Sequence, residues 1–210
     1  VKKKLTINGV RLQMELYGKI CFPLELEKKR RKNICTSRSF GTEIRDLSLL
    51  KEAIASYANT CAIKLRKEKS HCTKISIYLR TNPFKSSVKK YNPYKVIDFN
   101  MPTSDSMEIV KAAINGLKSI YRADFAYKKA GVIVGGIVPE NQLQLSLFDS
   151  LDRRKRNNIN IAVDKINSLI GKDKVYLAVQ GTSERKWKLK QEKLSPCYST
   201  RFSEILEVHI

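Results

Sequence analysis

Between residues 46 and 65 the apolar side chains recur at intervals of three and four: Leu50, Ala53, Ile54, Tyr57, Ala58, Cys61 and Leu65. That spacing predicts a helix with one buried face, opened by Asp46 as its cap. From Thr73 to Thr81 the period changes. Ile75, Ile77 and Leu79 alternate with Lys74, Ser76, Tyr78 and Arg80, which predicts a strand with one face buried and one wet. Asn82-Pro83 ends it, a Lys/Ser-rich loop follows, and a further strand is expected over Tyr94–Phe99. Asp105 opens a second helix, with Glu108 as capping-box partner and Ile109, Ala112, Ala113, Leu117 and Ile120 inward. A first short strand spans Ile34–Phe40 and is closed by Gly41; a last one, rich in valine and isoleucine, spans Tyr127–Val138. The order β-α-β-β-α-β is the ferredoxin-like, split βαβ plan of an α+β domain. Two helices cover one face of a four-stranded sheet, and the other face stays open.

The flanks have a different texture. Val10, Leu12, Leu16 and Ile20 have roughly helical spacing but make no complete folding unit, so residues 1–20 read as the end of a preceding domain. Glu25–Lys32, with five consecutive basic residues, is a charged connector. Leu151–Ile170 predicts a helix with Ile159, Ala162, Val163, Ile166 and Leu169 as its apolar stripe, stopped by Gly171. Val175–Val179 is a candidate short strand, giving the C-terminal extension a mixed α/β character. Beyond Gly181, charges mix with isolated aromatics, the texture of a segment ordered by a neighbour.

Charge changes the picture. Forty-one Lys and Arg oppose twenty Asp and Glu in 210 residues, a net charge of +21. Residues 1–100 hold 23 of the basic and 8 of the acidic side chains. So uneven an excess favours a polyanionic partner, nucleic acid first. The open face of the second strand offers Lys74, Tyr78 and Arg80 to it. Tyr127 stands only at the start of the last strand, which favours backbone contact over base stacking.

Catalytic chemistry finds little support. The chain has neither a phosphate-binding G-x-x-x-x-G-K-[ST] loop nor a G-x-G-x-x-G turn. No adjacent acidic pair stands at a strand end to hold magnesium. Five cysteines without C-x-x-C spacing read as reduced cytosolic thiols, and His71-Cys72 as chance neighbours. No apolar run is long enough to span a bilayer, so no membrane partner is expected.

Gln144-Leu145-Ser146-Leu147-Phe148 stands between the basic block and the tail. Leu143, Leu145 and Leu147 alternate with Gln142, Gln144 and Ser146, the period of an extended segment. Taken alone, it is either a half-buried strand of its own core or an exposed peptide with apolar anchors for another protein's groove.

Ser37-Arg38-Ser39-Phe40-Gly41, Thr81-Asn82-Pro83-Phe84, Tyr127-Lys128-Lys129-Ala130-Gly131-Val132, Gln144–Phe148 and Ser195-Pro196-Cys197-Tyr198 occur in an order that resembles the C-terminal half of UmuC-like proteins, Y-family translesion DNA polymerases of bacteria. The resemblance covers nearly the whole chain. It implies a thumb end over 1–27 and a DNA-gripping little finger over 28–138, including its basic linker. A clamp-binding segment would follow over 139–149, and a C-terminal extension over 150–210. It implies an error-prone polymerase of DNA repair and SOS mutagenesis in the bacterial cytoplasm, with Arg38, Lys74, Arg80, Lys128 and Lys129 holding primer–template DNA. Gln144, Leu145, Ser146, Leu147 and Phe148 would bind the sliding clamp, and the tail a UmuD-like accessory protein. The catalytic palm would lie outside this stretch, so this part is expected to be non-catalytic and to need no cofactor, with magnesium only in the palm. Ser199, Phe202 and Leu206 stand where the resemblance leads one to expect threonine, tryptophan and proline. The reading from another class is a free-standing basic RNA- or DNA-binding regulator with a ferredoxin-like fold.

Overall fold

The structure, a computed structural model, describes residues 2–24, 30–85, 89–142, 149, 151–182, 187, 189 and 193–206. The chain divides into two units, Val1–Arg31 and Lys32–Ile210. The first contains α1 (Lys2–Leu16), broken at Thr6, where φ is +57°. Leu12, Leu16 and Ile20 are exposed within it, and Arg11 stacks over Phe22.

The second unit carries β1 (Asn33–Ile44), α2 (Leu47–Lys67), β2 (Ser70–Thr81), β3 (Tyr94–Thr103), α3 (Ser106–Ile120), β4 (Tyr127–Pro139) and α4 (Arg153–Leu169). The four strands form one antiparallel sheet in the order β1-β4-β2-β3. Each crossover helix therefore links strands with one strand between them: α2 joins β1 to β2 across β4, and α3 joins β3 to β4 across β2. This is the expected split βαβ arrangement. β1 runs past Gly41 to Ile44 and β3 past Phe99 to Thr103, so both edge strands are longer than their patterns predict.

The core lies between the sheet and the two crossover helices. Leu50, Ala53, Ile54, Ala58, Cys61 and Leu65 of α2 are fully buried, as their spacing predicts. They meet Ile75, Ile77 and Leu79 of β2 and Val132 and Val134 of β4. Each buried leucine or isoleucine adds about 1.5–3 kcal/mol by leaving water. Asp46 caps α2 by accepting from Ser48 N, and Asp105 caps α3 by accepting from the amides of Met107 and Glu108. The expected capping box of α3 takes another form. Asp105 N donates to Thr103 Oγ1, and Glu108 accepts from Thr103 Oγ1 and from Arg153 instead of returning to the cap.

The C-terminal extension departs from expectation twice. Val175–Val179 forms no strand; the chain there ends in a short 3-10 turn at Ala178–Gln180. More consequentially, α4 docks through its polar side. Its one buried residue is Asn160, while Ile159, Ile166 and Leu169 of the aliphatic stripe are exposed. Arg156 and Asn160 bind Asp105, Arg153 binds Glu108, and Asp164 binds Arg66. Four hydrogen-bonded side chains of α4, Arg153, Arg156, Asn160 and Asp164, hold this helix where apolar contact was expected.

Candidate nucleic-acid interface

The face of the sheet opposite α2 and α3 is built by strand parity. On β2 the residues turned away from the core are Lys74, Ser76, Tyr78 and Arg80, each standing opposite a residue of β4: Gly135, Ile133, Gly131 and Lys129. β1 continues these rows with Asn33, Cys35, Ser37 and Ser39. β3 adds Asp98, Val96 and Tyr94 beside Lys74, Ser76 and Tyr78.

Of the five predicted DNA-binding cations, Lys74, Arg80 and Lys129 come together on this face. Arg80 and Lys129 are direct cross-strand partners. Like charges in that position repel and cost the sheet stability, and no ion pair relieves either of them among the described residues. Lys74 sits three rows further along β2, opposite the exposed Asp98.

The other two predicted cations are placed differently. Arg38 pairs with Ala130 and shares the parity of Ile34 and Phe40, so it lies on the helix side of the sheet. There it lines a cavity of about 390 Å3 with Thr36, Tyr57, Thr60 and Trp187. Burial pushes the Tyr57 phenol up, against the opposing pull of the Arg38 charge. Lys128 falls where the pairing of β4 with both neighbours shifts register. Its ammonium donates to the carbonyls of Phe40 and Gly41, at 2.7 and 3.2 Å. That cation ties β1 to β4 at the bulge.

Sequence reading placed Tyr78 on this face but missed its seat on β4 and its stack with Arg80. The ring of Tyr78 lies across β4 at Gly131: a Cβ there would come within 2.4 Å of Tyr78 Cζ. The Arg80 guanidinium in turn stacks over that ring, with Cζ 5.4 Å from its centroid. The signal was present in part, since Tyr78 is the one aromatic of its alternating strand. Gly131 became its seat only once the register of β2 against β4 was known.

Gln144, Leu145, Ser146, Leu147 and Phe148 lie outside the described residues. Among those described, no group of three or more His, Cys, Asp or Glu side chains could hold a metal ion, and no helix is long and apolar enough to cross a membrane.

Comparison with known proteins places these features. Residues 31–147 match the model of the impB/mucB/samB family C-terminal domain, and residues 158–208 match a domain of unknown function, DUF4113. Protein UmuC of Salmonella typhimurium is 35% identical over 99% of this chain and 49% of its own length. Protein ImpB of the same organism is 34% identical over 98% of this chain and 48% of its own. The chain thus spans about half the length of these relatives. Among solved structures, a post-insertion binary complex of Dbh DNA polymerase aligns with a TM-score of 0.43 at 14% identity, over 66% of this chain and 38% of the other. The sheet with its basic face falls within the first matched region and α4 from residue 158 onward within the second, and the chain belongs to the impB/mucB/samB family, whose C-terminal domain it contains.

Proposed function

We propose that this chain is the DNA-gripping and clamp-tethering part of an error-prone translesion DNA polymerase that acts in DNA damage repair and SOS mutagenesis. The observation that carries the reading is the Arg80–Lys129 pair on an otherwise open sheet face, with Lys74 along the same strand. Two cations set directly opposite one another gain from a polyanion lying over them, because a phosphate between them converts repulsion into attraction. Contacts of this kind hold a duplex without reading its sequence, which suits an enzyme that must follow any template. Lys128, with its ammonium engaged by two carbonyls, shapes the end of this face.

Gln144–Phe148 supplies the second attachment, to the sliding clamp. Two weak sites on one chain raise each other's effective concentration without any new contact at the reacting atoms. The catalytic carboxylates and their magnesium ions belong, in this reading, to a palm N-terminal to the stretch. The tail is the site for a UmuD-like accessory protein.

The test is a salt titration of duplex binding by the chain. Three phosphate contacts give a slope of about −2.7 in log K against log salt, at roughly −0.9 per contact. An affinity that stays constant as salt rises contradicts the reading.

A further inference from the structure

We propose that Tyr78, seated on Gly131, is a positioning residue of the DNA face that fixes the Arg80 guanidinium for its phosphate. The inference rests on the DNA-gripping reading above and adds a part to it. Arg80 is exposed and stands opposite Lys129, whose charge pushes it away. A flexible arginine in that position spreads over many rotamers, and each must be given up when a phosphate binds. The Tyr78 ring removes that freedom in advance. Its π-face attracts the guanidinium, and stacking through the flat face leaves the N–H donors at the edge of the group free for a phosphate.

The ring can do this only because it is itself held. It lies flat across β4, with Cζ, Cε1 and the hydroxyl oxygen at 2.4–2.6 Å from the position a Cβ on residue 131 would occupy. Any side chain at residue 131 would lift the ring from the sheet. Gly131 has no positive φ to explain its presence; the close approach of Tyr78 does. The Tyr78 hydroxyl makes no hydrogen bond among the described residues, so the seat works by shape.

The experiment measures duplex DNA affinity across a salt series for the full chain and for Y78A, Y78F, G131A, R80A, K129A and the doubles Y78A/R80A and G131A/R80A. Each variant is first confirmed as folded by its thermal transition. R80A is expected to reduce the salt slope by about 0.9. Y78A and G131A are expected to weaken binding about three-fold, and Y78F to stay close to the parent. In the R80A background neither Y78A nor G131A should weaken binding further, because the ring acts through Arg80. If Y78A weakens binding equally with and without Arg80, or leaves it unchanged, the positioning role is wrong. If R80A and K129A both leave affinity and slope unchanged, the DNA reading of the face fails instead. Should G131A not fold, Y78A against Y78F in the two backgrounds decides the question.

Discussion

Arg66 grips Asp164 at two points: Nε donates to Oδ2 at 2.7 Å and Nη2 to Oδ1 at 2.8 Å. The remaining nitrogen, Nη1, donates to the Ser104 carbonyl and to Ser106 Oγ. A bidentate pair fixes orientation as well as distance, so this one sets how α4 lies against α2 and the start of α3. Replacing Asp164 leaves a guanidinium, only 10% exposed, without its carboxylate. D164A is expected to weaken the docking of α4 by about 1–3 kcal/mol. Amide exchange should accelerate across residues 153–169 while the amides of β2 and β4 keep their protection. Uniform acceleration across the sheet would show that α4 is part of one cooperative unit with it.

Acid should release the same helix. Burial raises the pKa of Asp105, but hydrogen bonds from Asn160, Arg156 and the Met107 amide outweigh it and hold the carboxyl below its ordinary value. A carboxylate depressed in the folded state contributes stability above its unfolded pKa, about 3.9, and loses it as pH falls through the folded value. Thermal stability should therefore be level in this respect from neutrality to about pH 5 and decline below about pH 4. D105N, which removes the titrating group, should flatten that acid limb.

The cysteines should divide by burial. Burial pushes the Cys61 thiol up to about 11 and the Cys72 thiol up to about 12. Both are fully enclosed, while Cys35 and Cys197 are exposed. Only the thiolate reacts. Alkylation of the native protein at pH 8 should modify Cys35 and Cys197, and should reach Cys61 and Cys72 only after denaturation. Mass mapping of the labelled peptides checks this.

Much of this molecule is legible in its sequence where the signal is local. The α2 face from Leu50 to Leu65 and the alternation of Ile75, Ile77 and Leu79 are each set by residues a few positions apart, and both hold. What escapes is set across the chain. The aliphatic stripe of α4 predicts burial, yet Leu169 is 85% exposed and the helix is held by Asn160, Arg156 and Asp164. Their partners, Asp105 and Arg66, lie 51 to 98 residues away, and no local period announces such pairs. Arg38 is a different case. Ile34, Thr36, Arg38 and Phe40 share one parity, so alternation anchored on the buried Ile34 and Phe40 already assigns it to the helix side. Lys128 was displaced by a register shift, which depends on two neighbouring strands at once.

The clamp-binding role of Gln144–Phe148 has its own test. L147A/F148A removes the two largest anchors and is expected to reduce binding to a bacterial sliding clamp by more than about ten-fold, with the thermal transition unmoved. Retained clamp binding by the variant would remove the anchor role. A loss of stability instead would return Leu147 and Phe148 to the protein's own core.

The most direct measurement sets the two sides of the sheet against each other. Duplex DNA affinity is compared for the parent chain, for R80E/K129E on the open face and for R38E on the helix side, all at one salt concentration. The account predicts that R80E/K129E loses at least about ten-fold while R38E stays within about two-fold, since phosphate contacts act where the backbone lies. A loss for R38E at least half as large, in log units, as that for R80E/K129E would contradict it: the variants change the charge by two and four units, so the protein would then attract DNA by net charge alone.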